Sequence, residues 1–245
     1  MLEARRRVYG SDSYVVGASH LAVGVALAHQ GRFDAATAAM RQGVDIVGRH
    51  RDSEHHEYLF ALRNLAGALA RGDHPVEALG LYRTVIERFR RIPAGTPRQI
   101  ADLRLSELEA RVLDGQAVSR ARVQTLVDSF RVGEEAPGAR LVERLHFLGT
   151  LALLDPEGLS PGESEQIFEE AAAIAAERVH PDHPLTAQAG LGRLLARRRA
   201  GREVDERELE RYCRTCETWG LAHRPLLAMA REELRPRRAP AASRP

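Results

Sequence analysis

Residues 53–89 read SEHHEYLFALRNLAGALARGDHPVEALGLYRTVIERF. Leu62, Leu65, Ala66 and Leu69 fall at three- and four-residue spacings, which puts them on one face of a helix. Gly72-Asp73-His74-Pro75 then breaks the pattern, and Pro75 suits the first turn of a new helix, where its missing N–H costs nothing. Ala78, Tyr82, Val85 and Phe89 make a second apolar stripe. The stretch predicts two helices folded back on each other, and neither can bury its apolar face alone.

Working outward, the polar break that opens this stretch, Ser53-Glu54-His55-His56, recurs along the chain. It stands earlier at Ser11-Asp12-Ser13-Tyr14 and later at Gly95-Thr96-Pro97-Arg98, Pro137-Gly138-Ala139-Arg140, Pro181-Asp182-His183-Pro184 and His223-Arg224-Pro225. Four of the five steps are 42 residues and one is 44. A fixed period of this size marks a solenoid, in which each helix pair completes its core against its neighbours. The first repeat places Val23, Gly24 and Leu27 on one stripe, ends its first helix at Gly31, and continues with Phe33, Ala36, Met40, Val44 and Val47. Small residues at Gly24, Ala36, Ala66 and Ala78 let paired helices approach closely.

Later repeats depart from this frame. The third keeps Leu105, Leu108 and Val112 but runs Gly115-Gln116-Ala117-Val118 where small turn residues are due, so a distorted hairpin is expected. The fourth lengthens its turn over residues 155–162. The fifth carries Leu191-Gly192 and Leu195, then a strongly charged second helix from Glu203 to Arg214. Met1–Gly10 reads as the end of a second helix without its mate, either because the chain is a fragment or because the helix stands alone. Leu226, Leu227, Met229 and Leu234 form a closing helix, and residues 235–245 have nothing to bury and are expected to be disordered. The fold expected is all-α: one solenoid of antiparallel helical hairpins over residues 1–234, about five pairs with incomplete first and last repeats.

Composition agrees. The chain is 245 residues long, 44% apolar and 5% aromatic, a make-up suited to short side chains packing helix on helix. All 36 basic residues are Arg, and Asn64 is the only Asn. A GC-rich genome explains that bias, so runs such as Arg5-Arg6-Arg7 and Arg197-Arg198-Arg199 are weak evidence of phosphate contacts. A formal net charge of +2 does not point to nucleic acid. The first residues, Met1 to Arg7, are charged and lack the apolar run of a signal peptide, no stretch approaches the roughly 18 apolar residues of a membrane span, and two Cys make no disulfide framework. A soluble cytoplasmic protein is expected, with no membrane partner.

At this point the residues resemble a known family. Asn64-Leu65-Ala66, Gly31-Arg32-Phe33-Asp34-Ala35-Ala36 and His180-Pro181-Asp182-His183-Pro184 are similar to marks of tetratricopeptide-repeat proteins, in the 42-residue form of kinesin light chains and many bacterial arrays. Glu163 to Ala171 resembles the usual opening of a second helix, with Ser164 in place of Ala. The resemblance covers roughly residues 2–234. It implies a right-handed superhelix whose first helices line a concave, peptide-binding groove. Carried over by position, the groove residues are Leu21, Val25 and His29, then Phe60, Arg63, Asn64, Gly67 and Arg71. Ser106 follows, then His146, Phe147 and Thr150, and finally Arg193 and Arg197. Asn64 offers both a donor and an acceptor, which suits either gripping a peptide backbone or satisfying a neighbouring helix. The groove arginines, with no acid expected beside them, suggest an acidic peptide.

No catalytic set is found. P-loop, nucleophile-elbow, dinucleotide and H-E-x-x-H motifs are absent, and neither a cofactor nor a metal is expected. Cys213-Arg214-Thr215-Cys216 has the spacing of a thiol pair, but zinc needs four ligands and no second such pair exists, so buried structural thiols are expected. His55-His56 and His180 with His183 sit in the breaks and read as turn residues. The reading these features favour is a non-catalytic scaffold for a protein or peptide. The alternatives are a regulatory or sensor segment of a larger signalling protein (a kinase or signal-transducing ATPase), and an unrecognised helical enzyme around the long fourth turn. Self-association through the first helix is a further possibility.

Overall fold

The computed structural model describes residues 2–92, 96–131, 139–154, 161–181, 183–219 and 225–234. Among them are twelve helices and no strand: α1 (Leu2–Tyr9), α2 (Tyr14–His29), α3 (Phe33–His50), α4 (His56–Arg71), α5 (Pro75–Phe89), α6 (Pro97–Leu113), α7 (Arg120–Arg131), α8 (Ala139–Leu154), α9 (Pro161–Arg178), α10 (Pro184–Arg199), α11 (Glu206–Thr218) and α12 (Pro225–Leu234). None of the described helices is long and apolar enough to cross a membrane. The lengthened fourth turn lies largely outside the described residues, as does the tail from residue 235.

The chain divides into two compact bodies, Met1–Ala136 and Pro137–Pro245. The division falls at the fourth polar break. In the N-terminal body, α2 packs on α3, α4 on α5 and α6 on α7, while α2 also touches α4 and α4 touches α6. In the C-terminal body, α8 packs on α9 and α10 on α11, α8 also touches α10, and α10 touches α12. Hairpins whose first helices contact the first helices of their neighbours are the stacking of an α-solenoid.

The period read from the breaks reappears in the turns. Gly31, Gly115 and Gly201 adopt φ of +73°, +72° and +72°, and Asp73 adopts +61°. Gly31, Asp73 and Gly115 are 42 residues apart. At each, the next residue donates back into the helix: Arg32 N–H to Leu27 O, His74 to Leu69, Gln116 to Arg111 and Arg202 to Arg197, all at 2.9–3.0 Å. This six-to-one bond satisfies a carbonyl that the helix end leaves open, and its left-handed residue favours Gly. The third hairpin therefore enters its turn normally. What differs is the exit, because α7 waits until Arg120 whereas α3 begins two residues after Gly31.

The helix starts also repeat. Ser13 Oγ accepts from the Val16 amide, and Thr96 and Gln99 form a reciprocal capping box. His55 Nδ1 accepts from Glu57 N–H at 3.3 Å, and His183 Nδ1 from Leu185 N–H at 3.2 Å. Both histidines thus serve as helix caps, the turn role expected of them.

A polar clamp joins the first two hairpins. Tyr14 Oη donates to Glu57 Oε1 at 2.6 Å, Arg51 Nε donates to Glu57 Oε2 at 2.7 Å, and the Arg51 guanidinium lies 4.4 Å over the Tyr14 ring. The Tyr14 hydroxyl and the Arg51 guanidinium hold Glu57 below the usual carboxylate range. Folding therefore favours the ionised carboxylate. Its contribution is present above the unfolded pKa and is lost as pH falls through the lower folded value. Glu57→Gln is expected to flatten the fall in urea midpoint of the N-terminal body between pH about 5 and 3. Identical slopes for wild type and variant, followed by circular dichroism, would reject the clamp.

In the N-terminal core, Gly24 faces Ala36 and Met40, and a Cβ at Gly24 would lie 3.0 Å from Ala36 O. Ala66 and Ala78, both fully buried, hold the corresponding positions one repeat on. Val23 requires a correction, since it is 38% exposed and the buried residues of α2 are Val16, Gly17, Ser19, His20 and Gly24. Apolar residues surround α2 on nearly all sides, so periodicity alone does not select its inner face. That face is set by packing on α3, with Gly17 against Ile46 and Val47 and Gly24 against Met40, and α1 covers its polar part: Arg5 donates to Ser19 Oγ at 2.6 Å, and Arg6 lies 2.9 Å from His20 Nε2.

The C-terminal core contains Phe168, Leu191, Leu195, Leu209, Leu226 and Leu227. Leu209, Cys213 and Cys216 form the buried stripe of the charged helix α11. Burial pushes the Cys213 thiol up to about 11, with Glu217 adding to the effect, so it is protonated at neutral pH, as an apolar core residue should be.

Candidate functional site

The residues expected to form a groove come from the outward sides of α2, α4 and α6 in the N-terminal body. On α4 the buried set runs Leu59, Ala61, Leu62, Leu65, Ala66, Ala68, Leu69 and Ala70. Phe60, Arg63, Asn64, Gly67 and Arg71 are left half-buried on the remaining face. A face that is neither core nor fully solvated is where a ligand can bury more surface at modest desolvation cost.

Phe60 anchors this face. Its ring meets Phe89 of α5 edge-on at 5.6 Å and His56 at 6.4 Å, and the Arg63 guanidinium lies 5.6 Å from its centroid. Asn64 sits one residue beyond Arg63, and among the described residues its amide makes no hydrogen bond. The reading in which Asn64 satisfies a neighbouring helix therefore has no bond to support it. On α2, His29 is exposed, while Leu21 and Val25 are half-buried. Leu21 also lies over the backbone of α3, since a Cβ at Gly43 would come within 2.7 Å of its side chain.

Three expectations need correction. Three of the four groove arginines are not free of acids. Arg63 lies 3.8 Å from Asp102 of α6, Arg193 lies 3.8 Å from Glu208 of α11, and Arg197 lies 3.7 Å from Glu165 of α9. His146 and Phe147 are each only 7% exposed, and Thr150 is 6% exposed. His146 turns its ring edge toward Phe168 at 6.0 Å. These three side chains line no open face in the C-terminal body. Arg193 and Arg197 likewise lean on the second helices α11 and α9.

The repeat frame explains the error. Counting 42 residues back from Phe147 gives Leu105, fully buried, and counting back from His146 twice gives Leu62, also buried. One residue of slip turns a helical side chain by about 100°, enough to exchange core for surface. The same frame holds the residue that sequence reasoning missed. It carries Asn64 to Ser106, which was named, and Phe60 to Asp102, which was not. Asp102 is 3% exposed on α6, and its carboxylate lies 3.8 Å from Arg63 across neighbouring first helices.

No family model and no curated protein matches the sequence. Among solved structures, the chain is similar to two crystal structures of nearly identical TPR-like repeats from Podosopora anserina, named as a kinesin light chain. One is 17% identical with a TM-score of 0.49, covering 87% of this chain and 95% of the other. The second is also 17% identical with a TM-score of 0.49, covering 89% and 96%. The assignment of stacked helical hairpins rests on the helix contacts and turns described above.

Proposed function

We propose that the protein is a non-catalytic scaffold that holds a protein or peptide partner against the first helices of its N-terminal body. The observation that carries this reading is the Asn64 amide, half-buried and without a hydrogen bond among the described residues, on the same α4 face as the half-buried Phe60 ring. An amide in that position can pair with both the N–H and the C=O of an extended chain, whatever its side chains. Phe60 supplies apolar area beside it, and small Gly67 leaves room for a backbone to approach.

The partner's charge follows from Asp102. An acidic peptide would have to displace that buried carboxylate to reach Arg63. The face is therefore better suited to a backbone with an apolar anchor than to a run of carboxylates.

Panning a random displayed-peptide library on the whole chain, then titrating the selected peptides, tests the reading. Asn64→Ala is expected to weaken a selected peptide by about tenfold, the cost of a lost backbone hydrogen bond, with thermal stability unchanged. Equal affinity for wild type, Asn64→Ala and Phe60→Ala would remove this face from consideration.

A further inference from the structure

The N-terminal body contains two crevices related by the 42-residue frame. The first, of about 450 Å³, has Arg41, Asp45 and Arg49 of α3 over Leu65 of α4. The second, of about 190 Å³, has Arg83 and Glu87 of α5, Arg90 capping its C-terminus, Arg104 and Glu107 of α6, and Arg122 of α7. Arg83 follows Arg41 by one period, Glu87 follows Asp45, and Glu107 follows Leu65. The two are the same architectural slot, one repeat apart.

Their charges are handled differently. In the first crevice Arg41 donates to both oxygens of Glu77, at 2.8 and 2.6 Å. Arg49 is held between Asp12 and Asp45, each at 2.6 Å. In the second, the frame places Ser119 where Glu77 would recur, and α7 contributes Arg122 instead. Glu107 is bonded to Arg111 at 2.9 Å and is only 4.0 Å from Arg83. Among the described residues, the side chains of Arg90, Arg104 and Arg122 make no hydrogen bond or ion pair. Four guanidinium groups meet two carboxylates there, over a floor that includes buried Glu107.

We propose that this second crevice is an anion site, in which Arg90 at the end of α5, Arg104 of α6 and Arg122 of α7 close on a phosphate-type dianion. Guanidinium forks match the oxygens of a tetrahedral dianion in both geometry and charge. Without an anion, like charges from α5, α6 and α7 repel one another in one slot. With it, the three helices gain a common partner. Codon bias accounts for the abundance of Arg, but it does not account for one crevice having its arginines neutralised while its repeat does not. This site is separate from the proposed peptide-binding face, so either reading can fail without the other.

Inorganic phosphate titrated into the whole protein, with chloride holding ionic strength constant, tests the proposal by calorimetry. One saturable site per chain is expected. Arg90→Ala and Arg122→Ala, both at exposed positions where folding should be unaffected, are each expected to weaken it about tenfold or more. Arg41→Ala in the neutralised crevice should leave it unchanged. A parallel titration with phosphoserine identifies the source: tighter binding than phosphate indicates an esterified group, and equal or weaker binding indicates free phosphate. The proposal is overturned by the absence of saturable binding, by binding that survives Arg90→Ala and Arg122→Ala together, or by an equal loss in Arg41→Ala.

Discussion

Phe168→Ala is expected to destabilise the C-terminal body by ~3–5 kcal/mol, the range for emptying an aromatic site in a packed core. Phe168 is fully buried on α9. Its ring lies between two glycines on neighbouring first helices: a Cβ at Gly149 of α8 would stand 2.7 Å from the ring, and one at Gly192 of α10 would fall inside its contact surface. His146 adds an edge contact at 6.0 Å. The ring thus occupies a slot that exists because two backbones carry no side chain, and backbones collapse into a void less readily than side chains do. The slot makes a reciprocal demand. Gly192→Ala, with Phe168 intact, is expected to cost ~1–3 kcal/mol or more by overpacking. Phe168→Leu combined with Gly192→Ala should recover part of that loss, because the two changes share one volume and are not additive. Trp219, the only Trp in the chain, lies at the end of α11 in the same body, so its fluorescence in urea follows this body directly. A loss under about 1 kcal/mol for Phe168→Ala would mean that the slot relaxes and that the glycines have another purpose.

Phe168 also shows what the sequence discloses and what it withholds. The period, the hairpins and the caps are local, so they can be read from composition along a few residues. Gly31, Gly115 and Gly201 announce their turns, and even Asp73 falls on the same beat. Side-chain partners across helices depend on the rotation of each helix about its axis, which a one-residue uncertainty in register leaves undetermined. That is why Asn64 and Phe60, on the repeat with the sharpest stripes, stay off the buried stripe, whereas His146 and Phe147 turn inward. It is also why the groove arginines read as unopposed. Asp102 sits among alternating apolar and charged residues of α6 that select no single face, and Glu165 and Glu208 come from second helices whose facing was open. In α11, charge dominates the composition, and the stripe of Leu209, Cys213 and Cys216 becomes plain only once the thiols are counted as core residues.

Removing Arg197 and Arg202 together is expected to cost the C-terminal body ~2–4 kcal/mol, more than Glu165→Gln costs. Glu165 of α9 is 3% exposed, and its Oε1 accepts from Arg202 at 3.0 Å with Arg197 at 3.7 Å. The two arginines are partly solvated, their side chains 39% and 57% exposed for Arg197 and Arg202, so the attraction itself is moderated by water. The asymmetry lies in what each deletion leaves behind. Without its arginines the carboxylate is a buried charge with no donor. With Gln in its place the arginines return to water and the site retains a neutral acceptor. Glu165 Oε2 already lacks a hydrogen bond, so the site has little reserve. Arg202 reaches the carboxylate because it immediately follows Gly201, whose φ of +72° reverses the chain at the end of α10, so the ion pair also ties that turn to α9. Adding Glu165→Gln to the double arginine variant should restore most of the lost stability in urea titrations followed at Trp219. If the triple variant is no more stable than the double, the loss comes from the arginine stems packing against the turn, and the buried charge is not its cause.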